Sequence, residues 1–177
     1  MSSAPKTRTV LPMNRESFSR LVRAGLLTGA TDGLFSSVLA TVFYHSTVMR
    51  LFQGVAAAVL GKRALDGSTP TALLGVLIHF GVALGWSAMF LFLVTRSHWI
   101  RDVLASRNGV AKVASVYGPF IWMVMSLAVI PLLFHRRPTI GVRWWVQAIG
   151  HIPFVGLPIV ATIARRPASP AATSSES

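Results

Sequence analysis

Asp32 is the residue whose position most demands a chemical explanation. It is the only formal charge between Arg23 and Arg50, in a stretch that is otherwise apolar or small. It lies eight residues past Ala24, where that stretch begins, roughly 12 Å into a helix at 1.5 Å per residue. A charged carboxylate at such a depth in hydrocarbon costs about 3 kcal/mol or more unless it is paired or takes up a proton. Two roles follow. Asp32 is either a hydrogen-bonded group that fixes helix packing, or a proton or ion site. His79 and His151 come next, each roughly 11–12 Å into an uncharged run. Two histidines at one depth on parallel helices can serve as packing groups, or join a polar network with Tyr117, Ser126 or Asp32. They can also act as the axial ligands of a bis-His haem. His45 and His135 fall near the ends of their runs, and His98 beside Trp99 suits an interfacial anchor.

What is missing narrows the chemistry further. There is no Cys, which removes disulfides, thiolate metal sites and thiol nucleophiles together. No His-Glu-x-x-His, Gly-x-Ser-x-Gly or phosphate-cradling glycine loop occurs, and no pair of carboxylates stands ready for acid–base work. These gaps argue against an enzyme. No metal is expected, and no cofactor beyond the haem alternative at His79 and His151.

The elements that must position these residues are read from composition. Of 177 residues, 53% are hydrophobic and 12% charged, where a soluble domain has about a quarter charged. The net charge of +12 would suggest nucleic acid in a soluble chain. Here the cations cluster between uncharged runs, which suits anionic lipid headgroups instead. Four runs are long enough for a bilayer core of about 30 Å: 24–49, 71–95, 113–134 and 144–164. Helices are the structures that satisfy their own backbone in lipid, and the continuous apolar runs lack the alternation of a β-barrel. The expected fold is all-α, a four-helix transmembrane bundle.

The connections are read from their breakers. Residues 1–23 form a basic cytoplasmic segment in which 14–23 suits a short interfacial helix with Phe18, Leu21 and Val22 toward lipid. Residues 51–60 are apolar but too short to cross, so they read as an interfacial or re-entrant helix ending at Gly61. Thr69 is expected as the cap of the next helix, with Pro70 in its first turn. The tail 165–177 is low in complexity and expected to be disordered. The first run is too long and too far from the start for a signal peptide. With the N-terminus inside, eleven Lys and Arg fall on the cytoplasmic side and six opposite, so both termini are expected in the cytoplasm of a bacterial inner membrane.

Small residues recur every four positions at Gly25, Gly29, Gly33, Ser37 and Thr41. Such a stripe lets a second helix approach closely, and Gly81 and Gly85 offer another on the face of their helix away from His79. Self-association is the expected use of any stripe left over. Pro119, Pro131, Pro153 and Pro158 each release a carbonyl four residues earlier, available to shape the bundle or line a polar cavity.

From 23 to 166 the chain resembles four-span bacterial inner-membrane proteins to which no activity is assigned. The residues that carry the likeness are Gly25-x-x-x-Gly29 with Asp32, Leu51-Phe52-Gln53-Gly54-Val55 through Gly61-Lys62, Ala72-Leu73-Leu74-Gly75 to His79-Phe80, Tyr117-Gly118 before Trp122, and Gly150-His151. Three functions are carried forward. The leading expectation is a non-catalytic structural, accessory or stress-related membrane component. The alternative is a small oligomeric transporter or proton- or ion-handling protein using Asp32 and His79. The third is a membrane cytochrome.

Overall fold

The computed structural model describes residues 15–135 and 137–164. The expectations for residues 1–14, Arg136 and the tail 165–177 lie outside that range. Among the described residues the chain is almost entirely helical, without strands. Four helical stretches are long and apolar enough to cross a membrane: Arg15–Phe43, Thr69–Arg96, Gly109–Phe134 and Val142–Ala164. The protein is thus a multi-pass membrane protein, an all-α bundle.

Span 1 is α1 (Arg15–Val38) closed by a wider π turn, Leu39–Phe43. It differs from expectation at both ends. Residues 15–23 form no separate interfacial helix but the first turns of α1 itself, with Glu16 and Arg20 paired one turn apart. At the other end the helix stops at Phe43, because His45 adopts a left-handed φ of 49°. Thr47 then accepts the Arg50 N–H at 3.1 Å and starts α2 (Val48–Leu60). Gly61, with φ of 68°, ends α2 in a conformation that glycine adopts without strain, as its place in the sequence implied. A short 3-10 turn (Gly61–Asp66) returns the chain to α3 (Thr69–Arg96), whose N-cap is Ser68, one residue before the expected Thr69.

The α2 helix crosses α3 where Gly75 lets the Phe52 carbonyl come down on the helix backbone. Gln53 donates to the Gly67 carbonyl at 2.5 Å and Arg50 to the Leu65 carbonyl, so α2 and the turn after it are tied together. At the far end of α3, the short helix α4 (His98–Ala105) folds back. Arg101 donates to the Val94 and Thr95 carbonyls at 2.9 and 3.0 Å, which have no helical partner at a C-terminus. His98 contacts Arg101 through Nδ1, and Trp99 is left exposed.

Spans 3 and 4 are each broken by a π turn beside a proline. Span 3 is α5 (Gly109–Val124), the π turn Met125–Val129 and α6 (Ile130–Phe134). Span 4 is α7 (Val142–His151), the π turn Ile152–Gly156 and α8 (Leu157–Ala164). Pro131 and Pro153 cannot donate to the carbonyl four residues back, and the Ile149 carbonyl that Pro153 leaves takes the Ile152 N–H instead.

Glycines set which spans meet. A methyl group on Gly25 or Gly29 would strike Leu84 or Phe80 of α3, and Gly33 faces His79. The glycines of the expected stripe are therefore the seam of α1 with span 2, while Thr41, beyond α1, is exposed. The expected second stripe is not a seam within the chain. Nothing lies within 4 Å of a Cβ built at Gly81 or Gly85, and both are exposed. Spans 3 and 4 instead meet through Gly118, pressed on the His151 carbonyl, and Gly156, pressed on the Ala114 carbonyl. The main apolar core sits beside that seam, built on Phe90, Ile121, Ile159 and Val160.

Candidate functional site: an intramembrane carboxylate–imidazole cluster

The seam between α1 and α3 brings Asp32 to His79. Gly29 and Gly33 bracket Asp32 on α1, and the lack of side chains there leaves room for the imidazole. His79 Nε2 lies 3.0 Å from the Gly29 carbonyl and 3.9 Å from Asp32 Oδ2. The first distance is a hydrogen bond in which the ring N–H donates. The second is too long for one, and is a charge contact when the ring is protonated. Phe52 and Phe80 pack edge-on to the imidazole, at centroid distances of 5.8 and 5.9 Å. The side chains of His79 and Asp32 are only 15% and 18% exposed.

Asp32 Oδ1 is buried without a hydrogen-bond partner among the described residues. A carboxylate that served only to hold helices together would use both oxygens, because an unmet acceptor costs about 1–3 kcal/mol. This one leaves an oxygen open beside an imidazole. Counted along their helices, Asp32 is ~16 Å from the Phe43 end of span 1 and His79 ~15 Å from the Thr69 end of span 2. Both lie near the middle of a hydrocarbon core about 30 Å thick.

His151 joins the same level from span 4, ~14 Å past Val142. The ring is buried, within electrostatic reach of Asp32 and His79, and tilted against the Trp122 ring at a centroid distance of 5.0 Å. Its Nδ1 lies 2.7 Å from the Gln147 carbonyl one turn earlier. Trp122 Nε1 and the Gln147 side-chain oxygen are also buried and unpartnered among the described residues. Nearer the Val142 end of span 4, Ser126, the hydroxyl expected to serve the histidines, accepts from Trp144 Nε1 at 2.9 Å.

Tyr117 is not brought to this site. Its hydroxyl donates to the Trp86 carbonyl at 2.7 Å, and its ring packs on Phe90. Trp86 is seven residues beyond His79 on α3, ~10 Å away along the helix. Burying the ring in the apolar core satisfies both its face and its hydroxyl there. His45 and His135 are exposed at left-handed turns outside the helices.

The expected freed carbonyls find one partner that sequence reasoning did not assign. Pro158 has no N–H for the Phe154 carbonyl, and Thr31 Oγ1 of span 1 stands 2.6 Å from that oxygen. Thr31 also lies within reach of the Leu27 and Thr28 carbonyls of its own helix, at 2.9 and 3.2 Å. Its single proton goes to the nearest acceptor, the one without a helical donor. Phe35 stacks on Phe154 at 4.6 Å and fills the notch over Gly150. Span 4 is thereby fixed on α1 one residue away from Asp32.

His79 and His151 each give one ring nitrogen to a backbone carbonyl and keep the other, and His79 is flanked edge-on by Phe52 and Phe80. Among the described residues no group of three His, Cys, Asp or Glu is gathered closely enough to hold a metal ion.

Comparison of the chain with protein-family models, curated proteins and solved structures found no match.

Proposed function

We propose that this protein binds and passes protons within the membrane through Asp32 and His79, without catalysing a reaction on a substrate. One observation carries the reading: a carboxylate at mid-depth, 3.9 Å from an imidazole, with its second oxygen unpartnered. In such surroundings a carboxyl group is comfortable neutral and an imidazole–carboxylate pair is comfortable as a pair, so a proton has two resting places a short step apart. His151 and Gln147 extend the polar line toward the Val142 end of span 4. A purely structural role, which glycine-driven packing and the lack of catalytic motifs suggest, is supported by the use of Gly25, Gly29 and Gly33 in packing.

The two readings separate in proteoliposomes loaded with a pH-sensitive dye. Under an imposed potassium diffusion potential, the native protein is expected to acidify the lumen at least tenfold faster than Asp32→Asn at equal reconstitution. Asn keeps the shape and hydrogen-bonding capacity but cannot exchange the proton. A native rate equal to that of empty vesicles, or an Asn variant as fast as native, overturns the proposal and leaves the structural role.

The resemblance to four-span bacterial proteins and the distribution of Lys and Arg support a bacterial inner membrane with both termini in the cytoplasm. Reporter fusions after Arg63 and after Arg137 are then expected to read as periplasmic, and a fusion after Arg107 as cytoplasmic. The opposite pattern would invert the orientation.

A further inference from the structure

A second feature lies at the other end of the bundle from α2, where α4 folds back between spans 2 and 3. A groove of about 320 Å³ opens there, with the buried Phe90 and Tyr117 beneath it and Trp99, Val103, Val116 and Phe120 around it. Its lining is apolar apart from the exposed Lys112 and from Tyr117, whose hydroxyl is already given to the Trp86 carbonyl. No carboxylate among the described residues pairs with Lys112, whose ammonium makes only a long 3.4 Å contact with Ser106. From Lys112 to Phe120 the groove runs ~12 Å along α5. That is most of one leaflet of the bilayer, half of a core about 30 Å thick.

We propose that this groove holds one acyl chain of an anionic phospholipid, with the lipid phosphate on Lys112. Three properties select this occupant. The wall is hydrocarbon-like and would be wet if left open to the headgroup region. The cation stands where the groove meets the interface, the level at which phosphates lie and lysine side chains reach them. Trp99 is 72% exposed and has the amphipathic ring that settles at the headgroup boundary, which places α4 at that level. Val116 is 71% exposed although it lies inside a span, so the face beside the groove is open to lipid. The proposal does not depend on proton handling at Asp32.

Native mass spectrometry of the full chain, released from detergent micelles, gives the test. Phosphatidylglycerol and phosphatidylcholine with identical acyl chains are added in equal amounts. The expected result is a single phosphatidylglycerol adduct at least tenfold more abundant than the phosphatidylcholine one. Lys112→Gln should reduce that preference to within twofold of unity. Val116→Trp should remove the adduct by filling the groove from a position outside the packed core. An unchanged preference in Lys112→Gln overturns the proposal, as does an adduct that survives Val116→Trp or equal binding of the two lipids by the native chain. A dimer that Val116→Trp dissociates, with no lipid adduct, would give the groove to a second copy of this chain and would overturn it equally. Should Val116→Trp lose its helicity, Val103→Trp blocks the same groove from α4 and is read in the same way.

Discussion

Gly118→Ala and Gly75→Ala are each expected to lower stability in detergent by about 1–3 kcal/mol, the usual cost of overpacking. The sign is the informative part. Within a helix, Ala is favoured over Gly by roughly 1 kcal/mol, so glycine replacement normally stabilises. At Gly118 the new methyl would stand 2.2 Å from the His151 carbonyl oxygen, and at Gly75 1.8 Å from that of Phe52. The obstacle in both cases is backbone, which cannot swing aside as a side chain can. Gly81→Ala and Gly85→Ala meet nothing within 4 Å and are expected to be neutral or stabilising by up to about 1 kcal/mol. Chemical denaturation followed by helicity decides the matter. Equal stability of Gly118→Ala and Gly81→Ala would show that spans 3 and 4 do not meet at Gly118.

The second large effect concerns Thr31. Thr31→Val keeps the shape but removes the hydroxyl that reaches the Phe154 carbonyl at 2.6 Å. A carbonyl left without a donor inside a membrane span, away from water, costs about 1–3 kcal/mol. The cost exists because Pro158 withholds the helical N–H. In a Pro158→Ala background the backbone supplies that donor, and the same Thr31→Val change is expected to cost less. A double-mutant cycle over the two sites should therefore show coupling of roughly 0.5–3 kcal/mol. Additive effects would mean that Thr31 gives its proton to its own helix instead, at Leu27 or Thr28. The comparison also bears on the site, since Thr31 adjoins Asp32 and fixes span 4 against it.

Much of this protein is legible in its composition and spacing. Four long apolar runs between basic clusters specify four spans, because in lipid only a helix meets its own backbone hydrogen bonds. The depth of Asp32 follows from counting along one run, as do those of His79 and His151, and the axial rise of a helix does not depend on what surrounds it. Gly25, Gly29 and Gly33 are legible too, as one continuous face of α1.

The spacing of small residues identifies a face, but not whether another helix comes to it. Gly81 and Gly85 have the same spacing as Gly25 and Gly29, yet are exposed. Gly75, Gly118 and Gly156 stand outside any stripe, yet each receives a neighbouring backbone. The π turns beside Pro131 and Pro153 shift the register of everything after them, which a fixed count per turn cannot foresee. Tyr117 and Asp32 are both polar residues in spans, and sequence alone groups them. Tertiary structure separates them, since a phenol buries its ring in the core and needs one carbonyl nearby, whereas a carboxylate needs a partner that can share a proton. Sequence alone determined what each span contains and how deep it lies. Only the packing of α1 on α3 decided that Asp32 meets His79, because helix contacts depend on rotation about the axis and on which neighbour is close enough to fill the space.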